Sequence, residues 1–302
     1  MNTASGGRSG AINPVSVVVV GLGLMGGQIA AHLAGAGHAV LGVDPQPEAR
    51  AVAQTRGVAA VATLAQLPRR ADVVLSSLPS AEALAEALAA LPAGVAPGAV
   101  WVESSTLSLA DKLQARAQLA RHGLSMLDAP LSGTGDQAAR RDLCVYASGD
   151  EPDWRRVEPL LHAFAQRPRY VGIFGNGTRL KFVANLLVAI HNVASAEAMA
   201  LADAAGLDAG LVIDSIAEGA GQSRIFELRA PLMALRRYLP ATMKLDLWRK
   251  DMALIGAFAR ELGVVTPTFD ACAPVYDAAT RAYPLADTAA VFETLRAAQA
   301  AA

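Results

Sequence analysis

The 302 residues are 53% apolar and carry a formal net charge of −1. That composition can bury a large core over about two domains of roughly 100–200 residues each, and it lacks the basic excess that nucleic acid or an anionic membrane demands. Two cysteines, Cys144 and Cys272, far apart and without metal-like neighbours, exclude a disulfide framework and a zinc site and fit a reducing, cytoplasmic setting; charged or polar residues interrupt every apolar stretch short of the roughly 18 residues a membrane span needs.

Met1 to Asn13 is small and polar, has no apolar segment of the secretory kind and reads as a disordered tail. The apolar run Val15–Val20 reads as a strand, and Gly21-Leu22-Gly23-Leu24-Met25-Gly26 follows it directly, ahead of a helix predicted from about Met25 to Ala36 with Gly37 as its left-handed stop. In that context the glycines build a turn for a dinucleotide pyrophosphate. Gly21 permits the tight turn, a side chain at Gly23 would block the phosphates, Gly26 lets the helix pack closely, and the helix N-terminus attracts the anion. A second run, Ala39–Val43, ends in Asp44, where a carboxylate can accept from the adenine ribose hydroxyls and would repel a 2′-phosphate. Asp44 therefore favours NAD over NADP, with Arg50 and Arg56 near enough to soften the preference.

Further strands are predicted at Ala71–Ser77, Ala99–Glu103, Leu124–Ala129 and Leu143–Ala147, alternating with helical patterns. The alternation implies an α/β, Rossmann-type, doubly wound parallel sheet over residues 14–175. From 176 to 298 the periodicity is helical and nothing reads as a strand, so the second domain is expected to be all-α, joined by a long interdomain helix from Thr178 to about Ala205. That helix is apolar on much of its circumference, which calls for burial on more than one side and for a homodimer or homotetramer. The alanine-rich end after Arg296 is expected to fray.

Lys181 and Asn185 stand four apart on one helix face, and Asn192 returns to it two turns later. Such groups on a buried helix are costly unless paired or functional, although a lysine near a helix end can also snorkel to water. The turn Asp128 to Gly135 supplies N–H and hydroxyl donors from Ser132, Gly133 and Thr134 that can hold a carboxylate, or simply cap a strand exit. Glu103-Ser104-Ser105-Thr106 places hydroxyls at a strand end, where open α/β sheets bind ligands, or caps the next helix. The five histidines fall on helices or turns away from the strand ends or, for His191, off the Lys181 face, and read as structural.

Together these stretches resemble the β-hydroxyacid dehydrogenase family, which includes 3-hydroxyisobutyrate dehydrogenase and tartronate semialdehyde reductase, from about Val15 to Phe292. The resemblance implies that Gly21 to Gly26 form the cofactor loop, that Leu78 and Pro79 border the nicotinamide ribose, and that Thr106 contacts the nucleotide. It also implies that Pro130-Leu131-Ser132-Gly133 binds the substrate carboxylate, that the stretch Gly175 to Asn185 carries the catalytic Lys181 and its companion Asn185, and that Lys250 of the Lys250-Asp251 pair reaches the cofactor. The chain departs from the family pattern at Thr134, Ala184 and Arg140-Arg141-Asp142, and the added hydroxyl of Thr134 suggests a polar or small substrate. On this basis the expected activity is hydride transfer between NAD, or NADP, and a short β-hydroxy acid. Lys181 would act as general acid and base, its proton affinity lowered by burial and the positive nicotinamide. An imine reductase resembles this architecture but generally lacks the lysine. A non-catalytic nucleotide-sensing or interaction protein is disfavoured by the complete Lys181, Asn185 and Lys250 set.

Overall fold

The structure is a computed structural model that describes residues 14–67, 70–91 and 95–300; the expected tail before Pro14 lies outside them. The chain divides into two compact units, the first comprising residues up to 133 and 137–177, the second 134–136 and the chain from 178 onward.

In the first unit β1 (Ser16–Val20), β2 (Ala39–Val43), β3 (Ala59–Val61), β4 (Ala71–Ser76), β5 (Val95–Glu103) and β6 (Ser125–Asp128) form one six-stranded sheet in the order β3-β2-β1-β4-β5-β6. Every pairing in it is parallel. Helices α1 (Leu24–Gly35), α2 (Pro47–Thr55), α3 (Ala81–Ala89) and α4 (Leu109–Arg121) connect the strands. The uninterrupted valines of β1 follow from burial on both faces. Val17 and Val19 join one apolar cluster with Val73, Leu75, Val100 and Val102, whereas Val18 and Val20 join another with Val74 and Trp101. The order reverses at β1 and β4, whose C-terminal ends flank the place where such sheets take their ligands.

Three strands escaped the sequence pattern, and one was placed in the wrong sheet. β7 (Leu131–Ser132), β8 (Leu143–Ala147) and β9 (Ala165–Tyr170) make a separate three-stranded sheet, antiparallel between β7 and β8 and parallel between β8 and β9. Ser132 thus sits on a strand, whereas a turn was expected. β9 reads AQRPRY, polar and interrupted by proline, as an edge strand tolerates, while β3 and β7 are too short for any periodicity to register. Between these strands lie α5 (Gly135–Ala139) and α6 (Glu151–Leu161).

The second unit is helical, and among the described residues no named strand follows Gly175. It contains most of α7 (Asn176–Ala204), then α8 (Ala209–Ala217), α9 (Arg224–Leu235), α10 (Leu245–Glu261), α11 (Pro267–Ala282) and α12 (Val291–Ala300). The last of these carries helix as far as Ala300 within the stretch expected to fray, and residues 301–302 lie outside the described residues. Phe182, Ala189, Val193, Ala196 and Ala200 form the buried stripe of α7 and pack in one cluster with Trp248, Met252 and Ile255 of α10 and Phe269 and Tyr276 of α11. Contrary to expectation, α7 is long and apolar enough to cross a membrane by length and composition, with a mean hydropathy of 1.3 in its best window. Its buried polar groups, engaged within the second unit, identify it instead as a core helix: Asn192 Nδ2 donates to Tyr276 Oη at 3.0 Å and to the Thr288 carbonyl at 2.9 Å.

Candidate active site

At the C-terminal edge of the six-stranded sheet, Gly21 leaves β1 with φ at 89°, and a Cβ there would lie 2.2 Å from the Ser77 carbonyl oxygen. A Cβ at Gly26 would lie 1.9 Å from the Gly21 carbonyl oxygen, so the first turn of α1 can sit this close only on glycine. A Cβ at Gly23, in contrast, meets nothing within 4 Å. Gly23 is also the N-cap of α1 and makes no side-chain capping bond. The turn is therefore packed tightly behind and open in front, where helix geometry aims the first-turn N–H groups outward. That cradle fits a pyrophosphate.

Asp44 ends β2 as expected, but its carboxylate is buried and already engaged. Oδ2 accepts from the Leu22 N–H at 2.7 Å and Oδ1 from the Gln46 N–H at 2.9 Å. Each carboxylate oxygen keeps a second lone pair free to accept. Asp44 thus also locks the glycine turn to the end of the neighbouring strand, a role the sequence does not announce. Arg50 Nη1 donates to the carbonyls of Asp44 and Pro45, each at 2.8 Å, which holds its guanidinium beside the same corner.

Leu78 and Pro79 follow β4, and Ser104, Ser105 and Thr106 follow β5, so both turns lie at the same sheet edge as the glycine loop. Ser105 Oγ accepts from the Leu78 N–H at 2.8 Å and joins them. Ser132, partly buried, pairs with Cys144 across β7 and β8, and Gly133 follows it with φ at 142°. Thr134 groups with the second unit.

Within the second unit, Lys181 and Asn185 are buried on α7, and Asn185 Nδ2 donates to Asp251 Oδ2 of α10 at 3.0 Å. Burial pushes the Asp251 carboxyl up from its usual range, while the ammonium charges of Lys181 and Lys250 and the Asn185 bond pull it back. The amine, the amide and the carboxylate therefore form one buried polar cluster, with Lys250 half-buried at its side. Asn192 shares their helix face but belongs to the core. Asp251 is the member that the local pattern does not single out, because it stands beside Lys250 in the chain. Its signal was an acid on the buried stripe of α10, among Trp248, Met252 and Ile255.

Two of the histidines lie elsewhere in the first unit. His32 Nε2 is 2.9 Å from the Ala138 carbonyl, and His38 sits before β2, at the opposite edge of the sheet, where burial lowers its pKa from 6.5. No group of His, Cys, Asp and Glu among the described residues could hold a metal ion.

Comparison with known proteins covers nearly the whole chain. Residues 16–174 match the model of the NAD binding domain of 6-phosphogluconate dehydrogenase, and residues 175–295 match that of the NAD-binding domain of NADP-dependent 3-hydroxyisobutyrate dehydrogenase. A probable 3-hydroxyisobutyrate dehydrogenase of Mycobacterium tuberculosis is 32% identical over 93% of this chain and 98% of its own. An L-threonate dehydrogenase of Pectobacterium atrosepticum is 33% identical over 88% of this chain and 89% of its own. Among solved structures, the Mycobacterium tuberculosis 3-hydroxyisobutyrate dehydrogenase described with L-serine superposes with a TM-score of 0.82 at 31% identity, covering 94% of this chain and 100% of that one.

Proposed function

The chain belongs to the β-hydroxyacid dehydrogenase family, and from that premise we propose that this NAD(P)-dependent dehydrogenase acts on a short, polar β-hydroxy acid with Lys181 as its general acid and base. The observation that carries the reading is the buried cluster of Lys181, Asn185 and Asp251. A lysine on a buried helix face, held beside an amide and a carboxylate, is oriented to exchange a proton with one substrate hydroxyl. The bound nicotinamide supplies the hydride acceptor or donor. Gly21 to Gly26 and the N-terminus of α1 would hold the pyrophosphate, Asp44 the adenine ribose, and Leu78, Pro79, Thr106 and Lys250 the nicotinamide half.

Ser132, Gly133 and Thr134 would bind the substrate carboxylate through hydroxyl and N–H donors, and Asn185 would orient the rest of the molecule. In the oxidation direction Lys181 accepts the hydroxyl proton as the hydride leaves the carbinol carbon. In reduction its ammonium returns that proton to the forming alkoxide. Asn185 keeps the substrate in register with the amine, and the Asp251 charge orients the ammonium.

Absorbance assays with 3-hydroxyisobutyrate, glycerate, threonate and L-serine, each with NAD and NADP, test the assignment. Turnover is expected with at least one acid, and with NAD preferred, because the Asp44 carboxylate repels a 2′-phosphate. Reduction of a cyclic imine with none of the hydroxy acids turned over would favour an imine reductase instead.

Assembly through the second unit accompanies this reading. Leu180, Val183, Leu187 and Leu201 recur at helical spacing along α7 and are 38–71% exposed, an apolar stripe that suits a second copy of the chain. Light scattering is expected to return a dimer or tetramer mass, and a clean monomer at micromolar concentration would contradict it. The two cysteines are free thiols, which supports a reducing, cytoplasmic compartment.

A further inference from the structure

The geometry points to Glu103 as a positioning residue that sets the shape of the nicotinamide-side cradle, an inference that rests on the cofactor reading above. Glu103 ends β5 in register with Ser76 of β4 and is fully buried, as are Ser76 and Trp101. A buried carboxylate is retained only where its lone pairs are met, and here the donors come from the end of β4, from β5 itself and from the turn that follows β5. Oε1 accepts from the Ser105 N–H at 2.7 Å, and Oε2 takes a short hydrogen bond from Ser76 Oγ. Trp101 Nε1 donates to Ser76 Oγ at 2.8 Å and, more weakly, toward Oε2 at 3.5 Å.

The consequences spread from these bonds through both strand ends. Held by Glu103, Ser105 presents its Oγ to the Leu78 N–H. Ser104 Oγ donates to the Ser76 carbonyl at 2.6 Å and its backbone N–H does so at 2.9 Å. The Ser77–Leu78 turn is in turn the wall against which Gly21 packs. One carboxylate therefore links the ends of β4 and β5, against which the glycine turn packs.

The charge itself is dispensable, because glutamine can reproduce the pattern. Its amide oxygen accepts from Ser105, its NH₂ faces Ser76 Oγ, and the Ser76 hydroxyl turns to the Val102 carbonyl, 3.4 Å away. Alanine leaves the buried Ser105 N–H without its acceptor and takes the nearest acceptor from the Ser76 hydroxyl.

The test compares wild type, Glu103→Gln, Glu103→Ala and Ser105→Ala by NADH fluorescence titration and by steady-state kinetics. Glu103→Ala is expected to weaken NADH binding and raise the cofactor KM about tenfold, the scale of leaving buried donors unmet. The hydroxy-acid KM and the kcat at saturation should stay near wild type, and Glu103→Gln should restore the cofactor KM. If Glu103→Ala does not fold, Ser105→Ala, which cuts only the link to Leu78, is expected to shift the cofactor KM in the same direction. Wild-type affinity in Glu103→Ala or, where that variant does not fold, in Ser105→Ala, or an equal loss in kcat and in both KM values, would overturn the assignment. Failure of the wild-type protein to bind NADH would instead overturn the cofactor reading on which it rests.

Discussion

Replacing Lys181 by alanine is expected to lower kcat by about 10²–10⁴-fold, the contribution of a positioned general acid or base, with NADH affinity close to wild type. Affinity is spared because the glycine turn and Asp44 lie in the first unit, whereas Lys181 lies in the second. Loss of charge and loss of the proton have to be separated, since Asp251 is buried and the Lys181 ammonium acts on it more strongly than that of Lys250. Lys181→Arg does this. The guanidinium keeps the positive charge beside Asp251 but does not give up a proton, so this variant should hold the fold and still turn over slowly. Single-turnover absorbance of NADH formation reads the step directly. Near-normal turnover in Lys181→Ala with cofactor bound would sink the assignment.

The largest stability effect is expected at Lys112. This lysine of α4 is fully buried, and its Nζ lies 2.8 Å from Asp128 Oδ1 at the end of β6, itself fully buried. Ser148 Oγ contacts the other carboxylate oxygen at 3.2 Å and accepts from the Gly177 N–H at 3.0 Å, so the pair supports the strand exit and the first residues of α7. Lys112→Ala leaves a charged carboxylate in the interior without its partner, which costs about 3–5 kcal/mol in comparable buried pairs. The urea midpoint should fall accordingly with little change in slope. Neutralising both partners, as in Lys112→Met with Asp128→Asn, should recover much of the loss, because desolvation of the two charges no longer has to be offset. A midpoint for Lys112→Ala within error of wild type would show that the interior accommodates Asp128 unaided.

Much of the first unit was legible because its strands are buried on both faces and therefore read as continuous valine and leucine runs. β1, β2 and β4 begin and end within a residue or two of the apolar runs that predict them. The glycine turn was legible for a different reason: a chain that must pass 1.9 Å from its own carbonyl at a would-be Cβ leaves glycine no substitute. Lys112 was not legible, since it occupies an apolar-stripe position with Ala115 and Leu119 and a lone lysine there looks like a solvated exception. Glu103 was visible as the head of a hydroxyl-rich turn, but its bonds to Ser76 and Ser105 depend on a strand register that no local pattern encodes.

Local sequence determined the features governed by neighbours along the chain: the turn that follows β1, the acid that closes β2, the 3.6-residue stripe of α7 and the family to which these belong. Tertiary structure alone decided which polar groups share a buried volume. It brought Asp251 to Asn185 across 66 positions and Glu103 to Ser76 across 27, and it moved β8 out of the main sheet to pair with β7 and β9. The physical reason is that backbone geometry is set within a few residues, whereas a buried charge is tolerated only where donors from distant segments converge on it.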